Sequence, residues 1–417
     1  MSLIEHLHLF AGYGIEMEYM IVDRQTLALR PLCDYILTEA AGSCVNEVAF
    51  GAMAWSNELV LHVIELKTNG PAKTLTGLHQ LFLRDIRKIN QILAAKNAML
   101  MPTAMHPFMN PVTDTKLWIE DDAEVYQAYD RIFGCKGHGW SNLQSVHINF
   151  PFYNDEEFGK LHAAIRVILP ILPALAASSP VYEGKVSGLM DSRLEFYRHN
   201  QKAVPEIAGK VIPEPAFTEK AYGELIFAKI YKAIAPHDST GILRNEWLNS
   251  RGAIARFDRH AIEIRLLDIQ ESPRMDLAVI SSVVSAVQAL VLEKWGSLAK
   301  LQAWSEDTLS PLFLECLRHG SEATIDHDDY LKVFGYPSKG PIKAQELWRH
   351  ITDDLLKAAT YPISSYQREV DALVRHGCLA RRLVKALGPQ PDAERIHGVY
   401  GQLCHLLPLG GSFDAPC

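Results

Sequence analysis

The run Gly14 to Val22, Gly-Ile-Glu-Met-Glu-Tyr-Met-Ile-Val, restricts the fold more than any other stretch of this chain. Its alternation predicts a strand with Ile15, Met17, Tyr19 and Ile21 on one face and Glu16 and Glu18 on the other. Same-face neighbours on a strand stand roughly 6.5 to 7 Å apart, so both carboxylates can reach one metal ion or two adjacent ones. Like charges held this close repel unless a cation, a proton or open solvent separates them. A solvated outer face that happens to carry acids is the plain alternative. Three later stretches weigh against it, because each sets a polar pair in an apolar strand.

The first is Trp55 to Thr68, a β-rich run containing Glu58 and Glu65. Their separation is odd, so a regular strand sends them to opposite faces. Both serve one site only if Glu58 sits at the strand entrance or across a bulge. The second is Gln144 to Phe150, where His147 and Asn149 share a face opposite Val146, Ile148 and Phe150. The third is Arg256 to Asp268, in which Glu263 and Arg265 share a face and Ile262, Ile264 and Leu266 take the other. An acid beside a fork-shaped base suits a metal-bound phosphate, since arginine pairs oxyanions bidentately. A same-face ion pair on a solvated strand is the competing reading.

Between these strands the pattern predicts a short helix over Leu32 to Gly42 and an amphipathic helix over Leu75 to Met99, packed behind a sheet. Met101 to Pro111 is too proline-rich for a helix and reads as a rigid loop. His106 within it either lines a site or hydrogen-bonds backbone. A second amphipathic helix is predicted over Leu161 to Ala177, interrupted near Pro170 and Pro173. Ser178 to Arg198 then forms a long polar loop leading into a helix; loops of that length are functional or disordered, and its Arg and aromatic content favours function. From Asp276 to Leu387 the chain is largely helical, punctuated at Pro311, Pro337, Pro341 and Pro362, and the tail Pro408 to Cys417 is expected to be mobile.

The 417 residues suffice for two domains or one large sheet with a helical annex. A hydrophobic fraction of 48% with 22% charged residues is that of a folded soluble protein. Asp and Glu number 49 against 41 Lys and Arg, a net charge of -8 that argues against a nucleic-acid-binding surface and suits a protein collecting cations. Seven cysteines, with no C-x-x-C pair, make a disulfide framework or a structural zinc site unexpected. Met1 to Phe10 lacks a signal pattern, so a reducing cytoplasm is expected. Asp276 to Trp295 is apolar but carries several Ser and a Gln, and reads as a buried core helix rather than a membrane span. No P-loop or dinucleotide glycine fingerprint is present.

Taken in order, Gly-Ile-Glu16-Met-Glu18, the Glu58 to Thr68 run, the Thr-x-x-His106-Pro loop, the His147 strand, the Ser178 to Arg193 loop and Glu263-Ile-Arg265 resemble the glutamate–cysteine ligase family, in its type 2 carboxylate–amine ligase branch. The resemblance covers about Gly14 to Asp268. It implies an α+β fold with a glutamine-synthetase-like catalytic core: a curved, mostly antiparallel sheet with the active site on its concave face, helices on its convex face, and a helical C-terminal portion. The core is then residues 1–275, and residues 276–417 pack on it within one continuous domain.

The resemblance further implies Glu16, Glu18, Glu58, Glu65, His147 and Glu263 as ligands for Mg²⁺ or Mn²⁺. Arg265 touches the transferred phosphate, with Glu263 beside it in a catalytic role. Arg193 binds the amino-acid substrate, with Arg198, His106 and Asn149 as further substrate contacts, and Arg256 joins Arg265 at the nucleotide. Two positions depart from the family pattern: Met17 stands where relatives carry a third acid, and Asn149 where they carry a second His.

The implied reaction is ATP-dependent ligation of a carboxylate to an amine through an acyl phosphate, with small-molecule substrates and neither nucleic acid nor membrane as partner; a homo-oligomer is left open. A carboxylate is a poor electrophile until phosphorylation supplies a leaving group, and phosphoryl transfer needs charge neutralised and the nucleophile held in line. Two other readings stay in view, a guanidino-kinase-like phosphotransferase and a metal- and nucleotide-binding protein without catalysis.

Overall fold

A computed structural model describes residues 6–118, 123–337 and 340–414. Its centre is an antiparallel sheet. The strands are β1 (Gly14–Asp23), β2 (Glu47–Phe50), β3 (Met53–Asn57), β4 (Val63–Thr68), β5 (Ala98–Met101), β6 (Ser145–Pro151), the short hairpin β7 (Val181–Tyr182) and β8 (Lys185–Val186), then β9 (Ala253–Arg256) and β10 (Ala261–Asp268). The main sheet runs β2-β3-β4-β1-β6-β10-β9, and β5 pairs with the far end of β1 beside β6; β7 and β8 stand apart.

Alternation sorts the faces as the sequence predicts. Ile15, Met17, Tyr19 and Ile21 are fully buried and join one large core with Leu66, Ile148 and Ile264. Helices Leu78–Ala94, Asp155–Ile168 and Pro273–Val291 cover that side. Helix Pro273–Val291 is apolar on nearly every side, which a helix tolerates only when enclosed. It and the stretch Asp155–Ala176 are long and apolar enough to cross a membrane, and both are buried within the fold.

The opposite face is divided. Glu16 and Glu18 open into a cleft, but Met20 and Val22, next in the same alternation, belong to a second core with Met99, Met101, Leu383, Ile396, Tyr400 and Phe413. The last two helices, Leu379–Leu387 and Ala393–Leu406, therefore pack on the side that carries the acids. The helical C-terminal portion thus reaches round to both faces of the sheet.

Other boundaries differ for local reasons. Trp55 to Thr68 is a hairpin of β3 and β4, not one strand, and Arg256 to Asp268 likewise splits into β9, a turn at Phe257–Arg259, and β10. The helix expected to reach Met99 stops at Ala94, because Asn97 takes a left-handed conformation (φ 53°) and the chain re-enters the sheet as β5. Pro311 lies inside helix Glu306–His319 without ending it. Between Pro337 and Pro341, residues 338–339 fall outside the described span, as do residues 415–417. The tail up to residue 414 is docked: Phe413 is buried, its N–H donating to Glu271 and its carbonyl accepting from Arg382.

Candidate active site

Antiparallel register decides which side chains meet, because directly paired residues project to the same face. Ser56 pairs with Glu65 and Glu65 with Glu18; Lys67 pairs with Glu16 and Glu16 with His147; Gly14 pairs with Asn149 and Asn149 with Glu263. Three polar rungs thus cross the centre of the sheet. Gly14 is needed where it stands, since a Cβ there would lie 2.9 Å from that of Asn149.

His147 ties the rungs together. Its Nδ1 is 2.9 Å from Glu16 Oε2 and 3.4 Å from Glu263 Oε1, while Nε2 is 2.9 Å from Ser145 Oγ and 3.9 Å from Glu18 Oε1. Potential ligand atoms of Glu16, His147 and Glu263, and of Glu18, Glu65 and His147, lie within 4.8 Å of one another as two groups sharing the imidazole. Ser145 donates to Glu18 from its N–H (2.8 Å) and hydroxyl (3.1 Å), and Ser56 Oγ donates to Glu65 (2.7 Å). Asn149 Nδ2 donates to Glu16 (3.0 Å).

The electrostatics are those of crowded acids. Burial raises the Glu18 carboxyl, with His147 opposing and Glu65 adding to the rise. Glu58 is raised well above the ordinary carboxylate range, by burial first and then by Glu18 and Glu65. Burial also works against the Glu16 charge, but the His147 hydrogen bond and charge, with Lys67 and Arg265, outweigh it and bring Glu16 down to about 2. Glu16, Glu263 and Glu18 carry His147 up to about 9 against burial. An oxygen-rich set of carboxylates whose mutual repulsion a cation relieves fits a hard divalent ion such as Mg²⁺ or Mn²⁺.

A cleft of about 340 Å³ lies over these rungs, lined by Glu16, Glu18, Glu58, Glu65, Lys67, His147, Arg193, Arg256, Glu263 and Arg265 among others. A second cavity of about 450 Å³ adjoins it, sharing Glu16, Lys67 and Arg259 and adding Gly14, Thr68, Asn149 and His260. Glu58 reaches the cleft from the loop after β3, which resolves its awkward spacing from Glu65, although it stands outside the two tight donor groups. Arg265 Nε donates to Glu263 Oε1 (2.6 Å); burial opposes the Arg265 charge, but Glu263, Tyr197 and Glu16 hold it firmly protonated.

Arg193 lies in the short helix Ser192–Tyr197 and is buried, its Nε donating to Asp268. Asp268 reaches it through a β-bulge: Ile264 pairs with Ile148 and Leu267 with Val146, so one extra residue on β10 moves Asp268 to the polar face, opposite Ser145. Arg256 pairs with Asp258 through Nε and Nη2 (3.0 and 2.9 Å) at the cleft wall.

Two predicted substrate contacts are not brought to the cleft. His106 is buried elsewhere, its Nε2 donating to the Leu27 carbonyl (2.7 Å) and its Nδ1 accepting from Phe108 N–H (3.1 Å), so its role is to hold loop backbone. Arg198 is half-exposed, pairs with Glu195 at 3.1 Å and does not line either cavity. Sequence reasoning missed Lys67, which bridges Glu65 (3.0 Å) and Glu47 (2.8 Å), as well as Ser145, Tyr197, Gln201 and Asp268. Lys67 and Ser145 stand two residues from Glu65 and His147, so strand parity could have found them.

Residues 13–402 match the family described as Glutamate-cysteine ligase family 2. An uncharacterized protein of Archaeoglobus fulgidus is 36% identical over 77% of this chain and 87% of its own length. A Rubrobacter xylanophilus protein, provisionally named glutamate–cysteine ligase 2-1, is 27% identical over 62% of this chain and 65% of its own. The crystal structure of a glutamate–cysteine ligase from Francisella tularensis in complex with AMP superposes with a TM-score of 0.59 at 12% identity, covering 97% of this chain and 90% of that one, a likeness of fold.

Proposed function

This chain belongs to glutamate–cysteine ligase family 2, a family of ligases, and we propose that it joins a carboxylate to an amine at the expense of ATP, with glutamate as acid and a γ-glutamyl phosphate as intermediate. The observation that carries this reading is the convergence of carboxylates from β1, β4 and β10 on His147 beneath a cleft that also holds Arg265. Two adjoining cavities leave room for a nucleotide and a second reactant on either side of Glu16 and Lys67.

Glu16, Glu18, Glu65, His147 and Glu263 would hold Mg²⁺ or Mn²⁺, with Glu58 at the margin. When bound, the ion supplies charge neutralisation at the triphosphate. Arg265, steered by Glu263, stabilises charge on the transferred phosphoryl group. In the cleft over the rungs, Arg193, locked by Asp268, is the contact for the acid and Arg256 the contact for the nucleotide, while Asn149 lines the adjoining cavity as a further substrate contact. The acid's oxygen attacks the γ-phosphorus and ADP leaves; the amine then forms the C–N bond as phosphate departs with the C–O electrons, and the proton the nitrogen gives up ends on the released phosphate.

The test is an ADP-release screen with ATP and Mg²⁺ over amino acids paired with amines. ADP release that requires both partners supports ligation. Release with a guanidino compound alone supports the kinase alternative, and ATP binding without turnover supports a protein without catalysis. Glu263→Gln and Arg265→Ala are expected to lower turnover by about 10²-fold or more while the thermal transition persists.

A further inference from the structure

The acids under the cleft already have a cation of their own. Lys67 Nζ lies 3.0 Å from Glu65 Oε1 and 2.8 Å from Glu47 Oε2, and Ser56 Oγ donates to the same Glu65 oxygen at 2.7 Å. One oxygen of a candidate metal ligand therefore receives two donors before any ion arrives. The two acids that share the ammonium differ in their surroundings. The Glu65 side chain is 7% exposed and lines the cleft over the rungs; that of Glu47 is 51% exposed, comes from the edge strand β2 and lines the second cavity. Lys67 lines both. Glu47 stands two strands outward from β4, on the opposite side of Lys67 from β1 and β6, which carry Glu18 and His147.

We propose that Lys67 is a built-in counter-ion that competes with the divalent ion for Glu65, and that Glu47 is a positioning residue that draws the ammonium off it. This rests on the metal site of the reading above and concerns what this chain's own residues do there. Glu65 pairs directly with Glu18, so without a cation the two carboxylates repel. The ammonium offsets that repulsion in the metal-free chain. Once a divalent ion is held by the same acids, the lysine charge beside it becomes unfavourable, because like charges a few ångströms apart repel. Lysine carries its charge on a flexible four-carbon stem, and Glu47 offers a second anchor within reach. Moving the ammonium to Glu47 frees Glu65 while leaving neither Lys67 nor Glu47 unpaired.

The experiment measures the Mn²⁺ affinity of the full chain without nucleotide, at fixed pH and ionic strength, by titration calorimetry. Lys67→Met is expected to tighten binding about 10-fold, the scale of one like charge removed from beside a divalent ion. Glu47→Gln is expected to weaken it about 3-fold, the smaller effect of a half-exposed charge, because the ammonium then rests on Glu65 alone. In the Lys67→Met background the same Glu47→Gln change should shift affinity by less than about 1.5-fold, since Glu47 acts through the lysine. Residues that merely brace the strands would weaken binding in both single variants, so the opposite signs carry the test. Weaker or unchanged binding in Lys67→Met overturns the proposal, as does a Glu47→Gln effect of full size without the lysine. Unchanged or tighter binding in Glu47→Gln overturns it too, a result that does not depend on Lys67→Met folding. The readout needs no turnover: a chain that shows these responses but releases ADP with no acid and amine pair keeps this inference and loses the ligase reading, whereas a wild-type chain that binds no Mn²⁺ overturns this inference.

Discussion

His147 and Glu16 face each other on paired strands with Nδ1 2.9 Å from Oε2, and the same nitrogen lies 3.4 Å from Glu263. The imidazolium stands among the acids where a divalent ion would neutralise them. Removing either member should leave an incomplete donor set. His147→Ala and Glu16→Gln are expected to weaken Mn²⁺ binding at least about 10-fold, read by the free-Mn²⁺ electron paramagnetic resonance signal at constant pH. Wild-type affinity in both variants would show that the cluster is not the metal site.

Arg193 lies in the helix Ser192–Tyr197 and Arg198 caps its C-terminal end, yet their surroundings assign them different work. The Arg193–Asp268 pair is buried, with side-chain exposures of 1% and 0%, whereas Arg198 and Glu195 are 28% and 35% exposed. Removing one partner of a buried pair strands the other charge and costs about 3–5 kcal/mol; an exposed pair contributes about 0–1 kcal/mol. Asp268→Ala is expected to cost several kcal/mol in urea unfolding and to raise the KM for the acid. Arg198→Ala should change neither measurably. Equal effects from the two variants would remove the distinction.

What the sequence revealed and what it hid follow from the same rule of alternation. Parity within each strand separated Glu16 and Glu18, His147 and Asn149, and Glu263 and Arg265 from their apolar neighbours, and the register brings these polar sides together on one face of the sheet. Parity failed where the chain turns without glycine or proline. The β3–β4 connection passes through Glu58-Leu-Val-Leu-His62, and the β9–β10 turn puts His260 at φ 49°, a left-handed conformation that Gly or Asn would have signalled. The bulge between Ile264 and Leu267 has no sequence mark either, so counting parity from Glu263 sends Asp268 to the wrong face. Nor could alternation show that Met20 and Val22, on the acidic side, are covered by helices hundreds of residues away.

The loop histidine that does not reach the cleft makes a prediction about acid stability. Burial brings His106 down to about 4 despite its bond to Leu27, and His62, whose Nε2 donates to the Ser141 carbonyl at 2.7 Å, is likewise lowered to about 4. Both fold neutral, and His106 Nδ1 is already an acceptor for Phe108 N–H. Between the unfolded value near 6.5 and the folded value near 4, the unfolded chain binds more protons, so stability rises with pH and is lost on acidification. Each ring contributes up to about 1.4 kcal/mol per pH unit in that window. Urea unfolding at pH 8, 6 and 5 should therefore show a falling midpoint. His106→Gln should lower stability at pH 8 but flatten the decline by one proton's worth; an unchanged slope would mean that His106 titrates normally in the fold.

The C-terminal tail offers the clearest contrast between composition and packing. Pro408-Leu-Gly-Gly-Ser looks unstructured, but Phe413 beyond it is buried in the second core among Met20, Leu383 and Tyr400. Its N–H donates to Glu271 Oε1 at 3.0 Å and its carbonyl accepts from Arg382 Nη1 at 2.7 Å, so the backbone of one residue completes a buried ion pair. Glu271 follows three residues after Asp268, which places this plug at the end of the strand that carries Glu263 and Arg265. Phe413→Ala keeps both backbone bonds and loses only the ring, at a cost of about 3 kcal/mol. Ending the chain at Gly411 also exposes the Glu271–Arg382 pair to competing water and should cost more. Urea unfolding of the two variants separates the contributions: a truncated chain no less stable than Phe413→Ala would mean that the ring alone holds the tail and the ion pair is indifferent to it.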